Sequence, residues 1–582
     1  MSTEKHGGDI VADVLSRHGI RHIFTLCGGH ISPILTGARA RGIDIIDVRH
    51  EASAVFAADA VARMTGVPGV AAVTAGPGVT NTLTAVKNAQ LAQTPLLIFG
   101  GATATLLKGR GALQDIDQIS LVKSAVKWAT AVGTVPALGP TVHKALEIAQ
   151  SGVPGPVFVE VPVDLLYPES IVKGWYISES GIENAKGLGA KALELYLKGH
   201  LYKQFHLPHV DLDLPELRLP RRNDVHDQID QVVARLRRAE RPALVVGNQT
   251  MVNCHDAASL ADAVDKLGMP VWLGGAARGL LGRDSDIQFR HKRGRALKEA
   301  DVVIVCGFPF DFRLKYGRAI GSKAFVVHAN LAEDELRKNR RPEIAVHTHP
   351  ADFVRGLAEA FGPGRGRWDS WIAACREREV KRDAEIAAQA TTEGERVDPI
   401  YLFQRIEEKM ADDSVIVADG GDFVATGAYI LKPRRPLSWL DPGVYGTLGV
   451  GGGFAVGAAC VRKDAEVWLI WGDGSSAYSL AELDTCVRHG LAPIAVVGTD
   501  ASWQQIARDQ VEILGDDVGT TLLHTDYHEV AKGYGGVGLL LTDAAKVDET
   551  LDEAKRLSRE GKPVLINVHL AASDFRKGSI SI

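Results

Sequence analysis

Short, uninterrupted apolar runs, each closed by glycine and followed by residues at helical spacing, recur from one end of this chain to the other. Near the N-terminus Val70-Ala-Ala-Val73 runs into Thr74-Ala-Gly-Pro-Gly78, a helix is predicted from Asn81 to Gln90, and a second strand follows at Pro95–Phe99. The succession returns near the C-terminus, with a strand at Ala465–Trp471, a turn at Gly472–Ser475, a helix from Leu480 to His489 and a strand at Pro493–Val497. Between these two similar units lie Pro242–Gly247, Pro270–Leu273, Asp301–Cys306 and Ala324–His328, parallel-strand candidates separated by helical stretches. The predicted fold is α/β, with three doubly wound parallel-sheet domains. Their expected boundaries are 1–168, 227–362 and 398–570. Residues 169–226 read as a linker with one amphipathic helix over Ala190–Tyr202, 363–397 as a charged linker, and 571–582 as a C-terminal tail or lid.

Length and composition narrow the class. At 582 residues the chain is too long for one core. Apolar residues at 46%, charged residues at 24% and 61 glycines suit a globular α/β protein with many tight turns. A net charge of −5 without a long basic run argues against nucleic acid or an anionic membrane and for a small-molecule partner. The six cysteines, Cys27, Cys254, Cys306, Cys375, Cys460 and Cys486, show no CxxC spacing, so neither disulfides nor zinc are expected. No signal peptide and no run of membrane-spanning length is read, which makes a reducing, cytoplasmic setting the expectation.

Three patches carry chemistry. In Gly472-Asp473-Gly474-Ser475 a turn after an apolar strand exposes backbone N–H groups to anionic oxygens, and Asp473 adds a hard oxygen ligand. Asp500 follows the next strand, so the two carboxylates converge at one sheet edge. With the carbonyl of Ser502 they offer three oxygens to a cation such as Mg²⁺, which takes about six. Glu51 stands where a strand end, Val48-Arg-His50, passes into an alanine-rich buried helix. The third patch is the glycine-rich Asp441–Gly457.

Together these resemble the thiamine-diphosphate enzymes, over essentially the whole chain and in the order pyrimidine-binding, central and diphosphate-binding domain. In that family the Gly-Asp-Gly turn ends in Asn-Asn. Thr499-Asp500 stands there instead, adding a negative charge that should tighten the metal and slightly weaken the diphosphate. Glu51 matches the glutamate that bonds the cofactor's pyrimidine, a task for a carboxyl in an apolar pocket. Gly446-Thr-Leu448-Gly resembles the family's Gly-Thr-Met-Gly segment, making Leu448 the wedge that bends the cofactor. The Gly421 carbonyl matches its amino-group anchor. The resemblance also assigns Phe423, Trp503, Gly76 and Asn81 to the cofactor site. It implies a cofactor shared between two chains, Glu51 from one and Asp473 from the other, hence a homodimer at least and a homotetramer by expectation.

Within the family, Gly274–Gly282 and Cys306–Gly317 look like the nucleotide-binding central domain of members that handle acyl-CoA. Such a domain holds ADP, part of coenzyme A, or FAD, the last least favoured here. Arg278, Arg313, Lys315 and Arg576 are the candidate coenzyme A contacts. At the substrate end Gln114 stands where oxalyl-CoA decarboxylases have Glu, which disfavours that reaction. Gly28-Gly29-His30, Arg110–Gln114 and Asp574–Ser579 look like the acetolactate-synthase-like 2-hydroxyacyl-CoA lyases. His30 is a fit base for a hydroxyl proton near neutral pH. The resemblance implies cleavage of the C1–C2 bond of a 2-hydroxyacyl-CoA to formyl-CoA and an aldehyde or ketone, reversible as acyloin condensation, with His30, Gln114, Glu51 and Leu448 at the reacting centre. Animal members of that group carry an N-terminal membrane anchor; a soluble, bacterial-type relative is expected here. The alternatives are a 2-oxoacid carboligase of the acetolactate synthase kind and a non-catalytic relative.

Overall fold

The computed structural model describes residues 4–181, 187–207, 225–252 and 256–577. Cys254, the tail residues 578–582 and parts of the first linker, 182–186 and 208–224, lie outside the described residues. Residues 1–62 with 67–219 form one compact unit, and 63–66 with 220–582 the other.

The first unit is built on a six-stranded, wholly parallel sheet. Its spatial order is Asp44–Asp47, His22–Leu26, Gly69–Val73, Leu96–Ala102, Pro156–Pro162, Trp128–Ala131. Every residue of Leu96–Ala102 and Pro156–Pro162 is buried, as expected of central parallel strands covered by helices on both faces.

The second unit carries two parallel sheets. One has five strands, in the order Ile344–His347, Phe325–Asn330, Val302–Cys306, Pro242–Val246, Val271–Leu273. The other repeats the topology of the first unit's sheet: Trp439–Leu440, Val415–Asp419, Val467–Gly472, Ile494–Thr499, Val564–His569, Val537–Leu541. In this sheet Asp419 lies level with Trp471, and Gly472 level with Gly498. The turns that leave these strands therefore emerge side by side, at the carboxyl edge where open α/β sheets bind ligands.

Both linkers hold more structure than their sequence suggests. The first contains two helices, Glu169–Ser180 and Leu188–His206, rather than one. The second of these is not one-faced: Leu197 and Leu201 are buried while Leu195 and Tyr202 stand exposed, because its apolar residues are spread around the axis. The stretch 363–397 is largely the helix Asp369–Ala387. Its Trp371 and Cys375 join the core of the five-stranded domain, and Ile386 joins the core of the C-terminal domain. The Glu379 carboxylate of this helix accepts the amides of Arg290 and His291 at 3.0 and 2.9 Å, which locks it to the central domain. The tail is likewise anchored. Phe575 packs edge-on against Tyr429 at 5.8 Å, and the Arg576 carbonyl accepts a bond from Arg508 at 3.0 Å.

Candidate active site

In the second unit, the strands Val415–Asp419, Val467–Gly472 and Ile494–Thr499 deliver Gly421, Asp473 and Asp500 to one edge. Asp473 is buried; its Oδ1 accepts the Gly474 amide at 2.7 Å and its Oδ2 the Ala501 amide at 2.9 Å. Asp500 Oδ1 accepts the Ser502 amide at 3.0 Å. The two carboxyls thus share one turn, whose Ala501 adopts a left-handed conformation with φ of 58°. Burial pushes the Asp473 carboxyl up to about 6, its backbone amides opposing. Burial and then the neighbouring Asp473 charge push Asp500 up to about 7. Two hard oxygen donors that repel one another in a poorly solvated turn are the donor set a divalent cation relieves.

The rest of the turn closes around this pair. The Trp503 ring lies against Gly474, where any Cβ would collide with it, so the close approach requires glycine. The Ser475 hydroxyl is committed inward, to the carbonyls of Asp419 and Gly472 at 2.7 and 3.1 Å. Ser475 therefore has no hydroxyl hydrogen left to donate to an anionic ligand. Phe423 is buried against Phe403, ring centroids 4.6 Å apart, and lines a cavity with Asp422, Asp500, Arg396 and Ser573. The Gly421 carbonyl already accepts the Ala425 amide at 2.9 Å, as the first bond of the helix Asp422–Ile430.

Asp419 is a residue the sequence reading left without a role. Its buried carboxyl accepts the amides of Gly449 and Gly451 at 3.2 and 2.8 Å and the Trp471 indole at 3.1 Å. It thereby ties the segment Gly446-Thr447-Leu448 to the strand edge that presents Gly421. Gly446 is exposed and Leu448 half-buried. Burial pushes Asp419 up to about 7.

In the first unit, the Glu51 side chain is buried at the start of the helix Glu51–Thr65, and Asn81 donates to its Oε2 at 3.0 Å. His30 is half-buried at the same sheet edge, with its Nδ1 3.1 Å from the Thr74 hydroxyl, and burial holds the imidazole below its usual value. Gly76, at φ of 62°, has Gln114 packed on its Cα: an added Cβ would sit 2.9 Å from that of Gln114. The structure thus brings Glu51 to Asn81, across the intervening strand His22–Leu26, and Gln114 to Gly76, on segments that leave the adjacent strands Leu96–Ala102 and Gly69–Val73.

The candidate coenzyme A residues are not one surface patch. The Arg278 guanidinium is half-buried, stacked 4.6 Å from the Trp439 ring centroid and donating to the Ala428 carbonyl at 3.3 Å. Arg313 pairs with Asp311 at 2.7 Å and stacks 4.4 Å over Phe308. Arg293, which sequence reading passed over, stacks on the same ring at 5.5 Å and donates to the Arg313 carbonyl at 2.8 Å. Burial lowers Arg293, and the charges of Arg313 and Arg278 lower it further. Lys315 is exposed, and Arg576 stacks 5.1 Å over Tyr429 of the C-terminal domain.

Among the described residues no helix is long and apolar enough to cross a membrane. Of the described cysteines, Cys27 is exposed, while Cys306, Cys375, Cys460 and Cys486 are buried free thiols.

Comparison with known proteins bears on all three sheets. Residues 5–121, 229–357 and 419–568 match the family models of the thiamine pyrophosphate enzyme N-terminal TPP binding domain, central domain and C-terminal TPP binding domain. A protein named 2-hydroxyacyl-CoA lyase 2 from Danio rerio is 47% identical over 585 residues, covering 99% of this chain and 94% of the relative. Its namesake from Homo sapiens is 45% identical, covering 99% and 92%. A probable acetolactate synthase of Mycobacterium bovis is 32% identical over 570 residues, covering 97% and 95%.

Proposed function

Because the chain belongs to the thiamine pyrophosphate enzymes, we propose that it cleaves the C1–C2 bond of a 2-hydroxyacyl-CoA, giving formyl-CoA and an aldehyde or ketone, and runs the reverse acyloin condensation. It is a thiamine-pyrophosphate-dependent carbon–carbon lyase. When bound, the coenzyme supplies the nucleophilic carbon and the electron sink. The chain's own residues do the rest. Asp473 and Asp500, with the Ser502 carbonyl, would hold Mg²⁺, and the backbone amides of the Gly472–Ser475 turn would supply donors to a diphosphate. Glu51, fixed by Asn81, holds and returns a proton at the pyrimidine nitrogen. Leu448 shapes the seat, the Gly421 carbonyl anchors the amino group through its second lone pair, and Gly446, Trp503, Phe423 and Gly76 wall the site.

His30 carries the choice of reaction. Its lowered basicity leaves a neutral imidazole at pH 7, and its bond to Thr74 commits Nδ1, so Nε2 takes the substrate's hydroxyl proton. The Gln114 carboxamide donates to the thioester oxygen. The guanidinium cluster of Arg278, Arg293 and Arg313, with three cations and one paired carboxylate, suits the phosphates of a nucleotide such as ADP or coenzyme A. Lys315 and Arg576 are its outlying contacts. The buried free thiols fit a reducing cytoplasm, and the working particle is a homodimer or homotetramer. The test is His30→Ala with coenzyme and Mg²⁺ saturating. Formyl-CoA release should fall at least about a hundredfold with coenzyme affinity unchanged. Wild-type turnover in that variant would remove His30 from the chemistry.

A further inference from the structure

The segment between the strand Leu96–Ala102 and the helix Gln118–Val122 carries Gln114 and has no regular structure of its own. It closes mainly on itself: the Gly109 amide donates to Asp115 at 2.5 Å, the Arg110 amide to the Leu107 carbonyl at 3.1 Å, and Leu113 is 83% exposed. A loop so built needs an external anchor if Gln114 is to stay on Gly76.

Two buried carboxyls at the end of the strand Pro156–Pro162 supply one. Asp164 accepts both the amide and the hydroxyl of Thr105, at 3.0 and 2.6 Å. Glu160, 1% exposed, accepts Lys108 Nζ at 2.5 Å on one oxygen and Gln118 Nε2 at 2.9 Å on the other. Gln118, also buried, donates its other amide hydrogen to the Gly101 carbonyl at 3.0 Å and accepts the Gly76 amide at 2.9 Å. These partners fix which way the Gln118 carboxamide faces. A buried carboxylate is tolerable only when paired and hydrogen-bonded, and Glu160 is both.

We propose that Glu160 is a positioning residue that sets the place of Gln114 from two sides: through Lys108 it clips the loop, and through Gln118 it holds the Gly76 backbone on which Gln114 packs. Gly76 also begins the turn Pro77–Thr80, which leads to Asn81 and so to Glu51. The same carboxylate therefore steadies the substrate side and the coenzyme side of this sheet edge. The link to acyl-CoA rests on the function proposed above; the clip itself does not.

The test uses the full-length holoenzyme and the variants Lys108→Met, Lys108→Arg, Glu160→Gln and the double Lys108→Met/Glu160→Gln. Lys108→Met should speed tryptic cleavage after Arg110 and lower kcat/KM for a 2-hydroxyacyl-CoA roughly tenfold, mostly through KM, with coenzyme affinity unchanged. Lys108→Arg should restore both. Glu160→Gln should go further, and the double variant should be no worse than Glu160→Gln alone. Wild-type trypsin kinetics and KM in Lys108→Met, or multiplying effects in the double variant, would overturn the proposal. Should Glu160→Gln fail to fold, the two Lys108 variants, altered at a half-exposed side chain, still decide it. If the wild type cleaves no 2-hydroxyacyl-CoA, the proposed function fails while the trypsin comparison still judges the clip.

Discussion

Replacing Asp419 should damage both stability and catalysis, and the sizes follow from its three bonds. Its Oδ2 accepts Gly451 and the Trp471 indole, and its Oδ1 accepts Gly449, all in a fully buried setting. Asp419→Ala leaves three N–H groups without that acceptor. At about 1–3 kcal/mol for each buried donor left unsatisfied, and less than additive, the loss should be roughly 3–6 kcal/mol. Asp419→Asn keeps the volume. Its amide oxygen can serve Gly451 and Trp471, but its NH₂ then faces the Gly449 amide, donor against donor, so about 1–3 kcal/mol is expected. Urea unfolding of the coenzyme-free proteins measures both. Because Gly449 and Gly451 follow Leu448, the Asn variant should also lose turnover at saturating coenzyme. An Ala variant within about 1 kcal/mol of wild type would refute the view that Asp419 ties this segment to the strand edge.

Three further outcomes follow. Asp473 and Asp500 lie at about 6 and about 7, above the ordinary carboxyl value, so the folded protein holds these protons where the unfolded chain has released them. Their contribution to coenzyme-free stability is present at pH 4 and lost as the pH rises through 6 to 7. Mg²⁺ affinity, which needs both protons gone, should climb over the same interval, and calorimetry showing flat Mg²⁺ binding from pH 5.5 to 8 would contradict this. Glu51→Gln removes the transferable proton and should cut kcat at least about a hundredfold while coenzyme binding by calorimetry stays within a few-fold; near-normal kcat would count against Glu51. Gly474→Ala forces the Trp503 ring aside, and at about 1–3 kcal/mol of strain should weaken binding of thiamine diphosphate with Mg²⁺ about tenfold or more; unchanged affinity would show that the ring moves freely.

The strands were legible because a fully buried parallel strand is apolar along nearly all its length, as Val302–Cys306 and the first four residues of Ile494–Thr499 are. The convergence of Asp473 and Asp500 was legible because a strand and a turn of known period bring both carboxyls to one edge. What stayed hidden depends on partners distant in the chain. Arg293 sits among charged neighbours and reads as solvated; it is the rings and carbonyls of Phe308 and Arg313 that bury it. Asp419 looks like an ordinary strand end until the amides of Gly449 and Gly451 arrive. The helix Asp369–Ala387 reads as a charged linker because its few apolar contacts, Trp371, Cys375 and Ile386, serve two different cores. Glu160 and Gln118 meet only through sheet topology.

The most direct measurement is mass spectrometry of the purified protein given thiamine diphosphate, Mg²⁺ and a 2-hydroxyacyl-CoA, with pyruvate offered in parallel. Formyl-CoA and the matching aldehyde or ketone should accumulate in equal amounts and only with the coenzyme present. Acetolactate from pyruvate with the acyl-CoA left intact would contradict the account.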